Sequence, residues 1–200
     1  MASIRALFWD IGGVLLTNAW DHEERDSAIR HFSLDKNDFE TRHKQIVDAF
    51  EKGEVTLDQY LSRTVFLTER TFTPEEFRSY MLSLTQPKDD VLAIARSLSR
   101  TYPMCTINNE SRELNQYRIE SYSLRDIFRT FVSSCFVGIR KPDTAIYQLA
   151  LDLTQRKPEE CCFIDDREVN LDPARLLGMN TILMRDSRQL VQDLNALGVS

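Results

Sequence analysis

Hydrophobic positions along the chain fall into two kinds of pattern. From residue 86 onward, short apolar runs alternate with segments of helical spacing, and another apolar run lies at residues 4–9. Apolar runs without alternating polar positions are typical of strands buried on both faces, as in parallel sheets. The predicted strands are 102–108, 130–137, 160–165 and 181–184, and the predicted helices are 90–99, 112–120, 142–153, 169–177 and 187–197. This alternation predicts an α/β fold with a Rossmann-like parallel sheet.

The segment from residue 20 to residue 84 has a different pattern. Its apolar positions recur every three to four residues among charged ones, which predicts about four helices and no strand. Three of these helices are preceded by a side chain suited to capping the helix N-terminus: Asp35, Thr56 and Thr73. We therefore expect a helical domain, residues 18–85, inserted into a core domain made of residues 1–17 and 86–200.

Composition and charge narrow the range of partners. The 200 residues are 42% hydrophobic and 28% charged, as in ordinary globular proteins. A net charge of −6 gives no long-range attraction to nucleic acid or to an anionic membrane, so neither is a predicted partner. No apolar run approaches the roughly 20 residues of a membrane span, and the N-terminus lacks the pattern of a secretory signal. We expect a cytoplasmic protein, while its oligomeric state stays open.

Cysteine and histidine positions show no metal-ligand spacing. The four cysteines lie in apolar runs and are expected to be reduced core residues: Cys105, Cys135, Cys161 and Cys162. The three histidines fall in the polar helical segment, where surface positions are predicted: His22, His31 and His43.

Polar side chains follow four of the predicted strands. These are Asp10, the pair Asn108-Asn109, Lys141 and the pair Asp165-Asp166. Because the carboxyl ends of parallel strands share one edge of the sheet, we expect these residues to converge. Three carboxylates offer the hard oxygen ligands that suit Mg²⁺, completed by water and a substrate phosphate. Lys141 would balance their charge and attract an anionic substrate.

Each of these residues, taken alone, also fits a purely structural role. Asp10 fits a turn cap, Asp165 fits a capping box with Glu168, and Asn108 fits a helix N-cap. Capping explains one carboxylate but not two adjacent ones. Asn170 lies four residues after Asp166, hence on the same helical face, and is expected to orient that carboxylate.

Together these motifs resemble the haloacid dehalogenase-like hydrolase superfamily. The resemblance rests on a strand ending in Asp10, the Lys141-Pro142 pair and the terminal Asp165-Asp166 pair. The helical insertion after the first motif resembles the C1-type cap of that superfamily. The chain is most similar to the phosphatase domain at the N-terminus of soluble epoxide hydrolases and to bacterial sugar-1-phosphate phosphatases.

The resemblance implies a Mg²⁺-dependent phosphatase of small phosphorylated metabolites. Asp10 would attack phosphorus and form an aspartyl-phosphate. The implied metal ligands are Asp10, Asp166 and the backbone carbonyl of Gly12, supported by Asp165 and Asn170. Lys141 would hold the nucleophile, and the implied substrate contacts are Asn108, Asn109 and Gly12. The cap would close over the site and select the leaving group.

Two positions depart from the pattern of this family. Gly12 stands where most members have a second Asp, the general acid and base, and Asn108 stands where Ser or Thr is usual. General acid–base catalysis contributes roughly 10²–10⁴-fold, so alkoxide leaving groups should react slowly while aryl or acyl phosphates suffer less. Some relatives among the sugar phosphatases also carry Gly at this place.

Two alternatives remain open at this point. The first is a non-catalytic or very slow phosphate-binding homologue, as Gly12 and Asn108 suggest. The second is a 2-haloacid dehalogenase, which lacks the second Asp and needs no metal, although the adjacent Asp165-Asp166 pair disfavours a metal-free site. The substrate is not determined, because the polar candidates of the cap are by default exposed helical surface: Asp21, His22, Arg25, Arg42 and His43.

Overall fold

The computed structural model describes residues 3–200 and confirms the predicted alternation. Strand β1 (Ala6–Trp9) is followed by four helices: α1 (His22–His31), α2 (Lys36–Glu51), α3 (Leu57–Thr64) and α4 (Pro74–Ser83). The remaining elements are α5 (Asp89–Leu98), β2 (Met104–Asn108), α6 (Arg112–Ser121), β3 (Thr130–Ser133), α7 (Ser134–Val137), α8 (Thr144–Thr154), β4 (Cys161–Asp165), α9 (Glu168–Leu176), β5 (Asn180–Leu183) and α10 (Ser187–Ala196). Among these helices, none is long and apolar enough to cross a membrane.

The sheet has five parallel strands in the order β3-β2-β1-β4-β5. From the central β1, the chain builds one half of the sheet with β2 and β3, then returns to build the other half with β4 and β5. Trp9 lies opposite Thr106 of β2 and Ile164 of β4, so the three strands end at nearly the same level. Ligands bind at the carboxyl ends of such sheets where the strand order reverses direction, which is where Asp10 follows β1.

Hydrophobic side chains cover both faces of the sheet. All four residues of β1 are fully buried, and they alternate between the two faces as strand geometry requires. Leu7 and Trp9 belong to one apolar cluster, while Ala6 and Phe8 belong to the other. The predicted α/β class with a Rossmann-like parallel sheet is therefore confirmed.

Helices α1 to α4 pack around an apolar cluster of their own. Its largest members are aromatic, namely Phe39, Phe50, Tyr60 and Phe77. The predicted N-caps Asp35, Thr56 and Thr73 are all present, each accepting a hydrogen bond from a backbone N–H in the first turn of its helix. These helices also touch the α/β part of the chain, because the backbone N–H of Leu57 donates to Glu113 of α6 over 3.0 Å.

The second half of the strand predicted at residues 130–137 is wrong. The apolar run 130–137 forms strand only as far as Ser133, and residues 134–137 form the short helix α7. The hydroxyl of Ser134 donates to the backbone carbonyl of Glu51 over 2.6 Å, and Gly138 closes the turn with a φ of 72°. A short apolar run does not by itself distinguish a buried strand from a helical turn, so these contacts decide the outcome.

The four cysteines are free and buried, as expected. Two histidines, His22 and His31, are exposed, but the surface position predicted for His43 is wrong, because only 5% of it is exposed. His43 lies four residues after Phe39 and three before Ile46, on the buried face of α2. This helical spacing was the signal in the sequence that pointed inward.

Candidate active site

Asp10 lies in the turn that follows the central strand and is 8% exposed. Its Oδ1 accepts a hydrogen bond from the backbone N–H of Ile11 over 2.8 Å, and its Oδ2 lies 3.0 Å from Nζ of Lys141. Burial raises the pKa of Asp10 to about 7; the nearby Asp165 and Asp166 carboxylates add to this rise while Lys141 opposes it. A carboxylate in this position is crowded by negative charge and is poised to interact with a cation.

Lys141 is held from both its backbone and its side chain. Asn109 clamps the backbone, because its Oδ1 accepts from the N–H of Lys141 over 2.8 Å and its Nδ2 donates to the carbonyl over 2.9 Å. The Lys141 ammonium donates to Oδ2 of Asp165 over 2.6 Å. Burial alone would lower the pKa of Lys141, but the Asp10 and Asp165 carboxylates outweigh it and raise that pKa. The Lys141 side chain is therefore a fixed and buried cation.

Asp165 is fully buried and saturated with hydrogen bonds. Besides Lys141, it accepts from Nδ2 of Asn170 over 3.0 and 3.1 Å and from the backbone N–H of Arg167 over 2.8 Å. The expected contact between Asn170 and Asp166 is therefore wrong. Helical spacing does not apply to Asp166, because α9 begins only at Glu168. Asp165 is thus the residue that orients Lys141, and Asn170 orients Asp165.

Three carboxylates form a cluster with room for a cation. One oxygen each from Asp10, Asp165 and Asp166 lies within 4.8 Å of the others. Oδ1 of Asp166 is buried without a hydrogen-bond partner in the described part of the chain. Burial, followed by the charge of Asp165, raises the pKa of Asp166. Because one lysine faces three carboxylates, the cluster keeps an excess of negative charge. A divalent cation would balance this excess and would give Oδ1 of Asp166 a partner.

Gly13 makes this close packing possible. Its φ of 74° favours glycine, and a Cβ added there would lie 2.1 Å from Oδ2 of Asp166. Glycine at this position therefore lets the backbone pass close to the Asp166 carboxylate.

Asn108 is placed differently from the other polar residues at the strand ends. It is 1% exposed, its Oδ1 accepts from the hydroxyl of Ser133 over 2.8 Å, and its Nδ2 donates to Asn115 over 3.0 Å. A contact with phosphate stays a prediction, and it would require one of these hydrogen bonds to be exchanged. The structure brings Asp10, Lys141 and the Asp165-Asp166 pair together, but it keeps Asn108 in the interior.

A pocket of about 400 Å³ opens above Asp10. Its lining from the α/β part includes Asp10, Gly12, Asn109, Lys141 and Asn170. Four of the five cap candidates also line it, namely Asp21, His22, Arg25 and His43. Arg42 does not, and it pairs instead with Asp38 one turn earlier on α2. We use the name floor for Asp10 and Lys141, which line this pocket, together with Asp165 and Asp166, which belong to the same carboxylate cluster.

Ion pairs that the sequence did not suggest surround the pocket above the floor. Three of them join residues distant in the chain: Asp21 with Arg167, Arg25 with Glu40, and Glu51 with Arg140. We call these three pairs the wall. A further pair, Glu110 with Arg118, lies next to Gly12. Arg118 shares the buried face of α6 with Leu114 and Ile119, and a charged residue at that spacing was the signal that could have found it.

His43 is neutral and its tautomer follows from its partners. The hydroxyl of Tyr60 lies 2.8 Å from both Nε1 of Trp20 and Nδ1 of His43. Trp20 can only donate, so the single Tyr60 proton is best used as a donor to Nδ1, which leaves the His43 proton on Nε2. Burial, assisted by the charge of Arg25, lowers the pKa of His43 to about 4.

Comparison with known proteins identifies the family. A family model described as haloacid dehalogenase-like hydrolase matches residues 4–178. The chain belongs to the haloacid dehalogenase-like hydrolases. This hydrolase is 45% identical over 214 residues to bifunctional epoxide hydrolase 2 of Rattus norvegicus, covering 96% of this chain and 38% of the relative. It therefore spans well under half of that relative's length.

Two further similarities agree with this assignment. Flavin mononucleotide hydrolase 1 of Arabidopsis thaliana is 27% identical over 168 residues, covering 80% of this chain and 65% of the relative. A HAD family enzyme of Bacteroides thetaiotaomicron, solved in complex with magnesium and inorganic phosphate, superimposes with a TM-score of 0.74 at 21% identity. That superposition covers 92% of this hydrolase and 95% of the solved chain and supports the shared fold.

Proposed function

We propose that this hydrolase is a Mg²⁺-dependent phosphatase of small phosphorylated metabolites. The observation that carries the proposal is the floor, where Oδ2 of Asp10 lies 3.0 Å from Lys141 Nζ and within the same acidic cluster as Asp166. A related fold has been solved with magnesium and inorganic phosphate, and one relative is named a flavin mononucleotide hydrolase, which agrees with phosphate esters as substrates.

In this proposal, Asp10 is the nucleophile. One of its carboxylate oxygens attacks phosphorus in line with the departing group and forms an aspartyl-phosphate, which water then hydrolyses. Lys141 opposes the rise in the pKa of Asp10 and offsets the charge of the incoming phosphate. Asn109 and Asp165 fix Lys141 from its backbone and its ammonium, so little reorganisation is needed during the reaction.

The residues that would hold Mg²⁺ are Asp10, Asp166 and the backbone carbonyl of Gly12. When bound, Mg²⁺ supplies positive charge that stabilises the phosphoryl oxygens during transfer. The unpartnered, buried Oδ1 of Asp166 supports this assignment. Asp165 and Asn170 act in support, because Asp165 is already committed to Lys141 and Asn170.

We further propose residues 18–85 as the cap domain and residues 1–17 and 86–200 as the core domain. The separate apolar cluster of α1 to α4 supports this division, although Leu114 of α6 joins that cluster. The cap side of the pocket would contact the leaving group, since Asp21, Arg25 and His43 lie there.

The test uses purified protein, Mg²⁺ and p-nitrophenyl phosphate. We expect phosphate release by the wild type and a loss of about 10⁴-fold or more in Asp10→Asn, as for other nucleophile substitutions. Asp172→Asn, an exposed acid of α9, serves as the control and should keep wild-type activity.

Other outcomes would contradict the proposal. Binding of inorganic phosphate without turnover of any phosphate ester in a broad metabolite panel would indicate a non-catalytic homologue. Release of chloride from 2-chloropropionate without added metal would indicate a dehalogenase.

A further inference from the structure

A buried arginine occupies the space beside Gly12 where an acidic side chain would project. A Cβ added to Gly12 would lie 3.3 Å from Oδ1 of Asn18 and 3.5 and 3.8 Å from Nη1 and Nη2 of Arg118. Arg118 is 2% exposed, and it lines the same pocket as Gly12 and Asp10. The position that lacks a proton donor is therefore faced by a fixed cation.

Arg118 keeps hydrogen-bond donors that nothing in residues 3–200 uses. A guanidinium carries five N–H groups. Nη1 donates to Oε2 of Glu110 over 3.0 Å, Nη2 donates to the backbone carbonyl of Thr17, and the buried Nε has no partner in this part of the chain. By contrast, all three nitrogens of Arg25, another arginine of the pocket, have partners. Among the described residues, Arg118 therefore keeps N–H donors without partners next to Gly12.

We propose that Arg118 binds the leaving group and that the preferred substrates are acyl phosphates, the mixed anhydrides of a carboxylic acid and phosphoric acid. This inference rests on the proposed phosphatase function. A carboxylate leaves without a proton, so the absence of an acid at position 12 costs little. The planar guanidinium also matches a carboxylate in a two-point hydrogen bond, which a phosphate ester of a simple alcohol does not offer on its leaving side.

The reaction balances without a proton donor. An oxygen of Asp10 bonds to phosphorus as the bond from phosphorus to the acyl oxygen breaks, and the electron pair leaves on a carboxylate that Arg118 receives. Water then attacks the phosphorus of the aspartyl-phosphate, which restores the Asp10 carboxylate and yields dihydrogen phosphate carrying both hydrogens of the water. Arg118 acts only in the first step, so its contribution appears in kcat/KM.

The experiment compares kcat/KM for acetyl phosphate, p-nitrophenyl phosphate and glycerol 3-phosphate in the presence of Mg²⁺, corrected for spontaneous hydrolysis. For the wild type we expect acetyl phosphate to exceed glycerol 3-phosphate by about 100-fold or more, because the alkoxide lacks its proton donor. Arg118→Lys should lower kcat/KM for acetyl phosphate by about 10- to 100-fold. It should lower the value for p-nitrophenyl phosphate less, since that leaving group presents a single oxygen.

Two variants separate this role from a structural one. Arg112→Lys makes the same change on the same helix outside the pocket and should leave the ratio of the two kcat/KM values unchanged. The double variant Glu110→Gln/Arg118→Met removes both buried charges at similar volume, so it should fold even where a single substitution fails, and it should show the same selective loss.

Equal losses of kcat/KM for acetyl phosphate and p-nitrophenyl phosphate in the Arg118 variants would overturn the inference. They would show that Arg118 has only a structural role, through its hydrogen bond to the backbone carbonyl of Thr17. Activity on p-nitrophenyl phosphate without a preference for acetyl phosphate over glycerol 3-phosphate would overturn it as well, while leaving the phosphatase proposal intact. Failure of all three substrates would instead contradict the proposed function itself.

Discussion

The floor and the wall of the pocket differ in how completely their charges are balanced. In the floor, one lysine serves two carboxylates directly, a third lies close by, and the Lys141 and Asp165 side chains are at most 1% exposed. In the wall, each cation pairs with a carboxylate, and the exposure varies: the Arg25 side chain is 5% exposed, whereas the side chains of Arg167 and Asp21 are 49% and 29% exposed. The floor thus keeps unbalanced charge for a cation and a phosphate. The wall is close to neutral, so it can discriminate leaving groups by shape and hydrogen bonding rather than by net charge.

This difference also determines where a substitution is costly. Ions that share partners in a buried cluster leave an uncompensated charge when one of them is removed. Exposed pairs lose little, because water replaces the missing partner. The two regions are neighbours in space, so their contrast can be tested by matched substitutions around one pocket.

The largest expected effect is that of Lys141→Met. It leaves Asp10 and Asp165 buried without their common cation, and should lower the free energy of unfolding by about 3–5 kcal/mol while abolishing phosphatase activity. Urea unfolding measures the loss. Lys44→Met, at an exposed lysine that also lines the pocket, should change stability by less than about 0.5 kcal/mol. Equal losses in the two variants would remove the contrast between the floor and an exposed charge of the same pocket.

The second largest effect is expected for Asp166→Asn, which should raise the free energy of unfolding in the absence of Mg²⁺. Without Mg²⁺ the variant is expected to be more stable than the wild type, because a carboxylate crowded by Asp165 has been neutralised. Free Mg²⁺ at 100 times its Kd should stabilise the wild type by about 2.7 kcal/mol and the variant by far less. Thermal unfolding with and without Mg²⁺ reports both effects, and an undiminished response to Mg²⁺ in the variant would exclude Asp166 as a ligand.

His43→Gln should alter the pH dependence of stability. The pKa of His43 lies at about 4 in the folded protein, below the usual 6.5, so the unfolded chain takes up the proton first as pH falls. Wild-type stability should therefore decline between pH 6.5 and pH 4 by about 2.5 kcal/mol from this residue, and the variant should lose that part of the decline. His31→Gln, at an exposed histidine, is the matched control. An identical pH profile for His43→Gln and wild type would contradict a buried neutral imidazole.

The smallest expected effect concerns the pair of Arg167 and Asp21. Because both side chains are partly exposed, Arg167→Gln should lower the free energy of unfolding by less than about 1 kcal/mol, and added salt should reduce that difference. A double-mutant cycle with Asp21→Asn isolates the pair. A coupling free energy for this pair as large as the loss expected for Lys141→Met would remove the contrast between floor and wall.

Much of the fold was predictable because its signals are local. The apolar run before Asp10 specified a strand buried on both faces, and Asp35, Thr56 and Thr73 marked the starts of their helices through contacts within one turn. The convergence of Asp10, Lys141 and Asp165 followed from a general property of parallel sheets. The region 134–137 was missed because its helical turn depends on a contact with distant Glu51.

Sequence alone determined which chemical groups follow the strands, since apolar runs mark where β1, β2 and β4 end, while β3 is shorter than its apolar run. It did not determine which partner each group finds. Asn170 turns to Asp165 because α9 starts two residues after Asp166, His43 turns inward to Tyr60, and Arg118 reaches Gly12 across the fold. The Asn170 contact depends on where α9 begins, and the His43 contact depends on the packing of α2 against α3. The Arg118 contact joins residues far apart in the chain and depends on the packing of α6. Local periodicity contains no information about such contacts, so only the tertiary structure decided them.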